Sequence, residues 1–293
     1  MSPRVKGMLL VSCGAILWGG SGVAAQFVLQ NKEFSAEWLV IVRMLLSGII
    51  LLALDGLTHF GDIFSIWKNR HDALQLIAFA LIGMLGVQYT YFAAIKAGNA
   101  ATATILQYLM PIVIVGWTAL HTRRLPSLRE LLCVLFAMLG TALLVTHGNL
   151  SSLAIAPMAL FWGILSAFAA AFYTMQPKYL LSHWRSPLVI GWGMLLGGLA
   201  FLPVCPPWEF TGIWDREACI VFLYIILFGT IIAFWAYLES IKYIKPSETG
   251  TLASLEPLSA ILLSTVLLAV PFGRIECLGT LLIMSTVLIL AKK

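Results

Sequence analysis

Charge is what this sequence lacks. Of 293 residues only 11% are Asp, Glu, Lys or Arg, and 60% are hydrophobic, whereas about a quarter of a soluble domain is charged. So little charge cannot cover a soluble surface, which excludes a soluble enzyme or binding module. Long polar loops are missing too. The longest loops are read at 55–72 and 205–217, so no separate soluble domain fits. The five histidines (His59, His71, His121, His147 and His183) stand at loops or run ends without metal-ligand spacing. There is no nucleophile elbow, and Gly19-Gly-Ser-Gly lacks the strand, helix and lysine of a phosphate loop. The reading is therefore no metal, no cofactor and no enzyme. No Lys/Arg cluster with interleaved aromatics is present, so the net charge of +5 does not point to nucleic acid. Cysteine is sparse. Cys13, Cys133 and Cys277 sit in apolar runs as small fillers, while Cys205 and Cys219 flank one loop, where a disulfide and two free thiols both stay open.

What is present is apolar length. Uncharged runs fill 7–31, 73–95, 97–120, 153–177, 186–208 and 218–238, each near the ~20 residues that cross ~30 Å of hydrocarbon. Runs at 38–54 and 249–273 are interrupted once each, by Arg43 and Glu256, and runs at 131–146 and 277–291 need their flanks to reach. The expectation is an all-α integral membrane protein of ten helices in the inner (cytoplasmic) membrane. Basic residues orient it. With the N-terminus inside, Arg4, Lys6, Lys68, Arg70, Arg123, Arg124, Arg129, Lys178, Arg185, Lys242, Lys245, Lys292 and Lys293 face the cytoplasm. Only Lys32, Lys96, Arg216 and Arg274 face out, and with Arg43 these account for all 18. Both termini are then cytoplasmic, and the first run, too long for a signal-peptide core, is read as a retained span. Phe60, Ile63, Phe64, Ile66 and Trp67 read as an amphipathic piece at the lipid interface, and Trp208, Phe210 and Trp214 as an aromatic belt.

The chain also repeats itself. A shift of 146 residues lays Gly83 on Gly229, Tyr91 on Tyr237, Lys96 on Lys242, Pro111 on Pro257 and Glu130 on Glu276 without a gap. Five spans per half force the second copy to cross in the opposite sense. The halves are 1–147 and 153–293, two inverted five-helix repeats, an architecture that places a transporter's binding site near the midplane.

Gly250-Thr-Leu-Ala-Ser-Leu-Glu-Pro-Leu-Ser-Ala-Ile-Leu-Leu-Ser resembles the penultimate span of the EamA family in the drug/metabolite transporter superfamily. Ala15-Ile-Leu-Trp-Gly-Gly-Ser, Arg43 and Ala170-Ala-Phe-Tyr-Thr add to the resemblance, which covers the whole chain. His121-Thr-Arg-Arg and Val270-Pro-Phe-Gly depart from it, standing where the family often has Gly-Glu. The resemblance implies ten spans and transport of small metabolites, most often export of amino acids or similar compounds.

Ionisable groups at membrane depth are the main site signal, because burying one costs several kcal/mol unless it is partnered. Arg43 lies nine residues inward from Phe34 and Glu256 nine inward from Ser247, so both stand ~14 Å deep. One reading has Arg43 attracting a substrate carboxylate while Glu256 attracts an amine or carries a coupled proton. The plainer one has the two neutralising each other. Glu239 lies nearer the cytoplasmic end and is expected to pair with Lys242 or Lys245. Trp18, Gln88, Tyr91, Gln107, Tyr108, Tyr173, Trp192, Trp235 and Tyr237 lie inside spans as candidate cavity walls, with Trp192 aligned opposite Arg43. Thr102, Thr104, Pro246, Ser247, Thr249, Gly250 and Thr251 open the fourth and ninth spans, where small residues let helices slide. The expected partners are a small polar or zwitterionic substrate and the lipid bilayer, with a coupled proton as the second reading behind uncoupled export. The alternatives are an importer or exchanger of a purine, sugar or quaternary amine and, further off, a membrane enzyme or lipid-handling protein.

Overall fold

The computed structural model describes every residue except 1, 60, 61, 122, 124, 126, 147–154, 241, 242, 245–251, 254, 292 and 293. Phe60, Arg124, His147, Lys242, Lys245, Pro246, Ser247, Thr249, Gly250, Thr251, Lys292 and Lys293 therefore lie outside the described residues. Among the described residues there are helices and no strands. The chain begins with α1 (Pro3–Gln30) and α2 (Ala36–Thr58), then a 3-10 turn, Ser65–Lys68. From α3 (Arg70–Ala78) it runs through a π-helical segment, Phe79–Leu85, into α4 (Gly86–Ala97). Helices α5 (Ala100–Gln107) and α6 (Met110–His121) are separated by a break at Tyr108 and Leu109, and α7 (Leu128–Thr146) ends the first half. The second half holds α8 (Pro157–Met175), α9 (Lys178–His183), α10 (Ser186–Phe201) and α11 (Arg216–Ile226). A second π segment, Leu227–Ile232, joins α11 to α12 (Ala233–Ser240), and α13 (Leu255–Leu268) and α14 (Arg274–Ala291) complete it.

The helices start where side chains can satisfy their first amides. Ser35 Oγ accepts from Trp38 N at 3.0 Å, Asn99 Oδ1 from Thr102 N at 2.8 Å and Asp215 Oδ1 from Ala218 N at 2.8 Å. Ser127 and Glu130 form a reciprocal capping box at α7. Among the described residues six stretches are long and apolar enough to cross a bilayer: Pro3–Gln30, Ala36–Thr58, Arg70–Ala97, Ala100–His121, Pro157–His183 and Arg216–Tyr237. Helices α10 and α13 are apolar but have 16 and 14 residues. The short runs at 131–146 and 277–291 lie within helices of 19 and 18 residues.

Loops sort to two ends. At one, Lys32 Nζ bridges Asp215 (2.6 Å) and Glu217 (2.9 Å), and Lys96 Nζ donates to Phe34 O. The bridge to Asp215, then that to Glu217, raises the Lys32 pKa, and Lys32 in turn holds the Asp215 carboxyl below its ordinary range. There Phe34, Trp38, Phe210 and Trp214 pack ring to ring, so Phe210 belongs to a packed cluster, whereas Trp208 is exposed. At the other end Arg185 grips Asp55 through Nε (3.1 Å) and Nη2 (2.9 Å) and Asp62 through Nη1 (2.8 Å). These bonds, Asp55's first, raise its pKa further. Trp184 Nε1 donates to the buried carboxylate of Asp72 at 3.0 Å.

Two pairs of helices pack so that the 146-residue shift exchanges their contacts. The shift carries Leu45 to Gly191 and Leu52 to Gly198. A Cβ on Gly191 would stand 2.9 Å from Leu52 Cγ, and one on Gly198 would stand 3.0 Å from Leu45 Cγ. Helices α2 and α10 are therefore antiparallel, each contact the image of the other. In the α7–α14 pair a Cβ on Gly140 would stand 2.6 Å from Gly279 O, and Cys133 Sγ lies 3.8 Å from Thr286 O. The shift exchanges Cys133 with Gly279 and Gly140 with Thr286. The first helix of each half lodges in the other half. Gly14 of α1 backs onto Ala233 O of α12 (3.0 Å) and Gly19 onto Glu256 O of α13 (2.5 Å), while Gly163 of α8 backs onto Leu106 of α5. Without a Cβ, these backbones approach closely.

Antiparallel packing is checked by cysteine cross-linking in a chain whose five native cysteines are replaced. The pairs Leu45→Cys with Gly198→Cys, and Leu52→Cys with Gly191→Cys, are expected to cross-link in membranes. Cross-linking of the parallel combinations 45/191 and 52/198 instead would overturn this arrangement.

Candidate functional site

Arg43 is 5% exposed on α2 and reaches across to the second π segment. Its Nε donates to Thr230 Oγ1 (2.6 Å), Nη1 to Gln88 Oε1 (3.1 Å) and Nη2 to Gly229 O (3.2 Å), and its guanidinium carbon lies 4.9 Å from the Phe92 ring centroid. All three acceptors are neutral. Of the five N–H groups an arginine carries, two have no partner among the described residues. Among these residues no ion pair joins Arg43 to Glu256, which corrects the expectation that the two neutralise each other.

Glu256 stands in the first turn of α13 and accepts from Tyr108 Oη at 3.2 Å; the same hydroxyl lies 2.7 Å from Ala253 O. Tyr108 can present its hydroxyl this way because it sits in the break between α5 and α6. Tyr91, Tyr108 and Tyr237 all lie within electrostatic reach of Glu256, and Tyr91 reaches Arg43 as well. Tyr91 is fixed by Thr104 Oγ1 at 2.8 Å, over a point on α1 where a Cβ on Gly22 would stand 2.5 Å from its hydroxyl. Trp18 packs on Tyr237 (4.9 Å) and Phe234 (5.0 Å). Tyr173 stacks on Phe79 at 5.5 Å within reach of Tyr237. Trp18, Tyr91, Tyr108, Tyr173, Tyr237 and Glu256 are each half-buried.

The structure thus brings Arg43, Gln88, Tyr91, Tyr108, Glu256, Tyr237, Tyr173 and Trp18 to one region. Gln107, half-buried at the end of α5, has no hydrogen-bond partner among the described residues. Two expected wall residues are elsewhere. Trp192 donates to Ile63 O at 2.8 Å and packs on Phe64 and Trp67 at the Arg185 end. Because α2 and α10 are antiparallel, the α10 residue level with Arg43 is near 200, leaving Trp192 ~12 Å away along the helix. Trp235 is 52% exposed, on the outer side of α12. Glu239 accepts from Tyr243 Oη at 3.1 Å. Both Cys205 and Cys219 are free thiols. Thr230, Gly229, Phe92 and Thr104 are the site residues that sequence reasoning passed over. Among the described residues no group of three or more His, Cys, Asp or Glu could hold a metal ion.

A buried cation and a carboxyl, each held by neutral groups beside a set of tyrosines, stand on helices long and apolar enough to cross a membrane or packed among them. The EamA-like transporter family matches residues 5–146 and again residues 157–292. The chain belongs to this family. It is a multi-pass inner-membrane transporter. The uncharacterized inner membrane transporter YicL of Salmonella typhimurium strain LT2 is 43% identical over 291 residues, covering 99% of this chain and 97% of that one. The uncharacterized transporter YetK of Bacillus subtilis strain 168 is 25% identical, over 81% of this chain and 73% of its own. A solved protein crystal structure, 16% identical, superposes with a TM-score of 0.64 over 98% of this chain and 96% of that one, a likeness of fold.

In this EamA transporter Glu256 accepts one hydrogen bond, from Tyr108, and no ion pair holds it among the described residues. Glu256→Gln keeps an acceptor for Tyr108 and removes a buried acid, so the purified variant is expected to be as stable as the parent or more so by about 1 kcal/mol. Its ligand binding is expected to be lost. A loss of several kcal/mol in unfolding stability would instead make Glu256 a structural residue.

Proposed function

We propose that this protein is a secondary transporter that moves a small zwitterionic metabolite, an amino acid or close analogue, by alternating access between two inverted five-helix halves. One observation carries the reading: Arg43 and Glu256 both lie within electrostatic reach of Tyr91, and each is bonded to neutral partners instead of to the other. A carboxylate presented to the spare N–H groups of Arg43 would supply the anion its burial calls for. An ammonium group would meet Glu256 among the faces of Tyr108, Tyr237 and Trp18, and aromatic faces attract cations. A solute carrying both charges relieves both sites at once.

The exchange of contacts under the 146-residue shift and the double family match support the inverted halves, 1–147 and 153–293. Two such halves exchange conformations, opening one central site to either side. The Arg185 end is cytoplasmic in this reading, because its described segments hold Arg4, Lys6, Lys68, Arg70, Arg123, Arg129, Lys178 and Arg185. Both termini then lie inside. A cleft of about 230 Å³ at the opposite end, lined by Asn99, Thr102, Phe272 and Glu276 among others, supports an outward route. It begins where α5 does, ~12 Å along that helix from Gln107. Export itself follows from the family resemblance. Proton coupling, where it operates, runs through Glu256, the carboxyl that substrate and proton would share.

The experiment is counterflow in proteoliposomes with a panel of radiolabelled amino acids, amines, nucleobases and sugars. Exchange is expected for one or more amino acids and is expected to vanish in Arg43→Ala and in Glu256→Ala, while both variants reconstitute normally. Counterflow of sugars or nucleobases alone, or full activity in either variant, would contradict the reading. An imposed pH gradient that drives wild type and Glu256→Gln alike would remove Glu256 from the proton path.

A further inference from the structure

The second π segment holds Arg43 in a way that neither the helix nor the cavity requires. In an ordinary α-helix the Gly229 carbonyl would accept from the Ala233 N–H. Here Ala233 N–H turns to the carbonyls of Phe228 and Thr230, and Gly229 O instead takes Nη2 of Arg43 at 3.2 Å. Thr230 Oγ1 donates to Ile225 O, five residues back, at 2.9 Å. Its proton is thereby committed, and its oxygen is left to accept from Arg43 Nε at 2.6 Å. Both halves contain a π segment, yet the 146-residue shift carries Thr230 to Met84, Arg43 to Val189 and Gln88 to Phe234. The backbone distortion therefore forms without the polar cradle. The Thr230 hydroxyl thus serves two groups, donating to the Ile225 carbonyl and accepting from Arg43.

We propose that Thr230 and Gly229 form a parking site, which holds the guanidinium of the empty transporter in place of a substrate carboxylate and must give it up when substrate binds. This rests on the reading of Arg43 as the carboxylate-binding residue. A guanidinium in a low-dielectric interior needs acceptors at every stage of the cycle, because an unsatisfied buried charge is costly. Neutral acceptors satisfy it without locking it, and a carboxylate, charged and able to take two N–H bonds side by side, binds it more strongly. Parking therefore competes with substrate. Thr230 is in this sense a tuning residue: its bond to Arg43 weakens carboxylate binding by stabilising the empty state.

The test compares wild type, Thr230→Val and Thr230→Ser by titration calorimetry of the full-length purified transporter. Two probes share a side chain: L-leucine, with a carboxylate, and 3-methylbutylamine, without one. Thr230→Val is expected to tighten L-leucine binding about tenfold, the worth of one hydrogen bond to a charged group. It is expected to leave 3-methylbutylamine unchanged, and Thr230→Ser, which keeps the hydroxyl, is expected to bind both as wild type does. If Thr230→Val leaves L-leucine binding unchanged or weakens it, or shifts both probes alike, Thr230 is structural and parking is wrong. If neither probe binds any of the three proteins, the zwitterion site itself fails, and the parking site fails with it.

Discussion

Burying a cation and an acid at bilayer depth without letting them meet is the constraint on which the rest of this structure depends. Either group alone would be expelled from hydrocarbon or forced to neutralise. The fold keeps both by giving each a set of neutral acceptors or donors. For Arg43 these come from a π segment, an amide and an aromatic face. For Glu256 the partner is a tyrosine hydroxyl presented from a helix break. The π segment and the helix break depart from regular α-helix, while Gln88 and Phe92 stand on the regular α4, and irregular backbone at membrane depth is tolerated where it is buried in protein or lines a cavity.

The stretches related by the 146-residue shift share packing features and differ in their charged groups. The helix pairs α2–α10 and α7–α14 keep contacts that the shift exchanges, and both halves carry a π segment in corresponding stretches. Tyr91 and Tyr237 are counterparts and both face Glu256. The charged groups have no such counterparts, since Arg43 corresponds to Val189 and Glu256 to Met110. A duplicated pair of arginines and glutamates would double the burial cost.

Much of this was legible in the sequence, for physical reasons that can be named. Apolar length and sparse charge give helices and their ends, because hydrocarbon tolerates little else. The depth of Arg43 and Glu256 follows from counting residues at a fixed rise. Rotation around a helix and pairing between helices are less legible. Trp235 is next to Phe234 and two residues from Tyr237, yet it faces outward, because each residue turns the helix by about 100°. Trp192 was aligned with Arg43 as though the paired helices ran in parallel. The π segments leave no mark in composition, so Thr230 and Gly229 read as an ordinary small pair within an apolar run.

Whether the two charges are truly independent in the empty protein can be measured outright. A double-mutant cycle of Arg43→Met and Glu256→Gln, read as unfolding free energy without ligand, isolates their mutual term. Charges held by separate neutral partners should give a coupling below about 1 kcal/mol. A stabilising coupling of about 3 kcal/mol or more, the size of a broken buried pair, would mean that Arg43 and Glu256 neutralise each other and that no ligand is needed to do so.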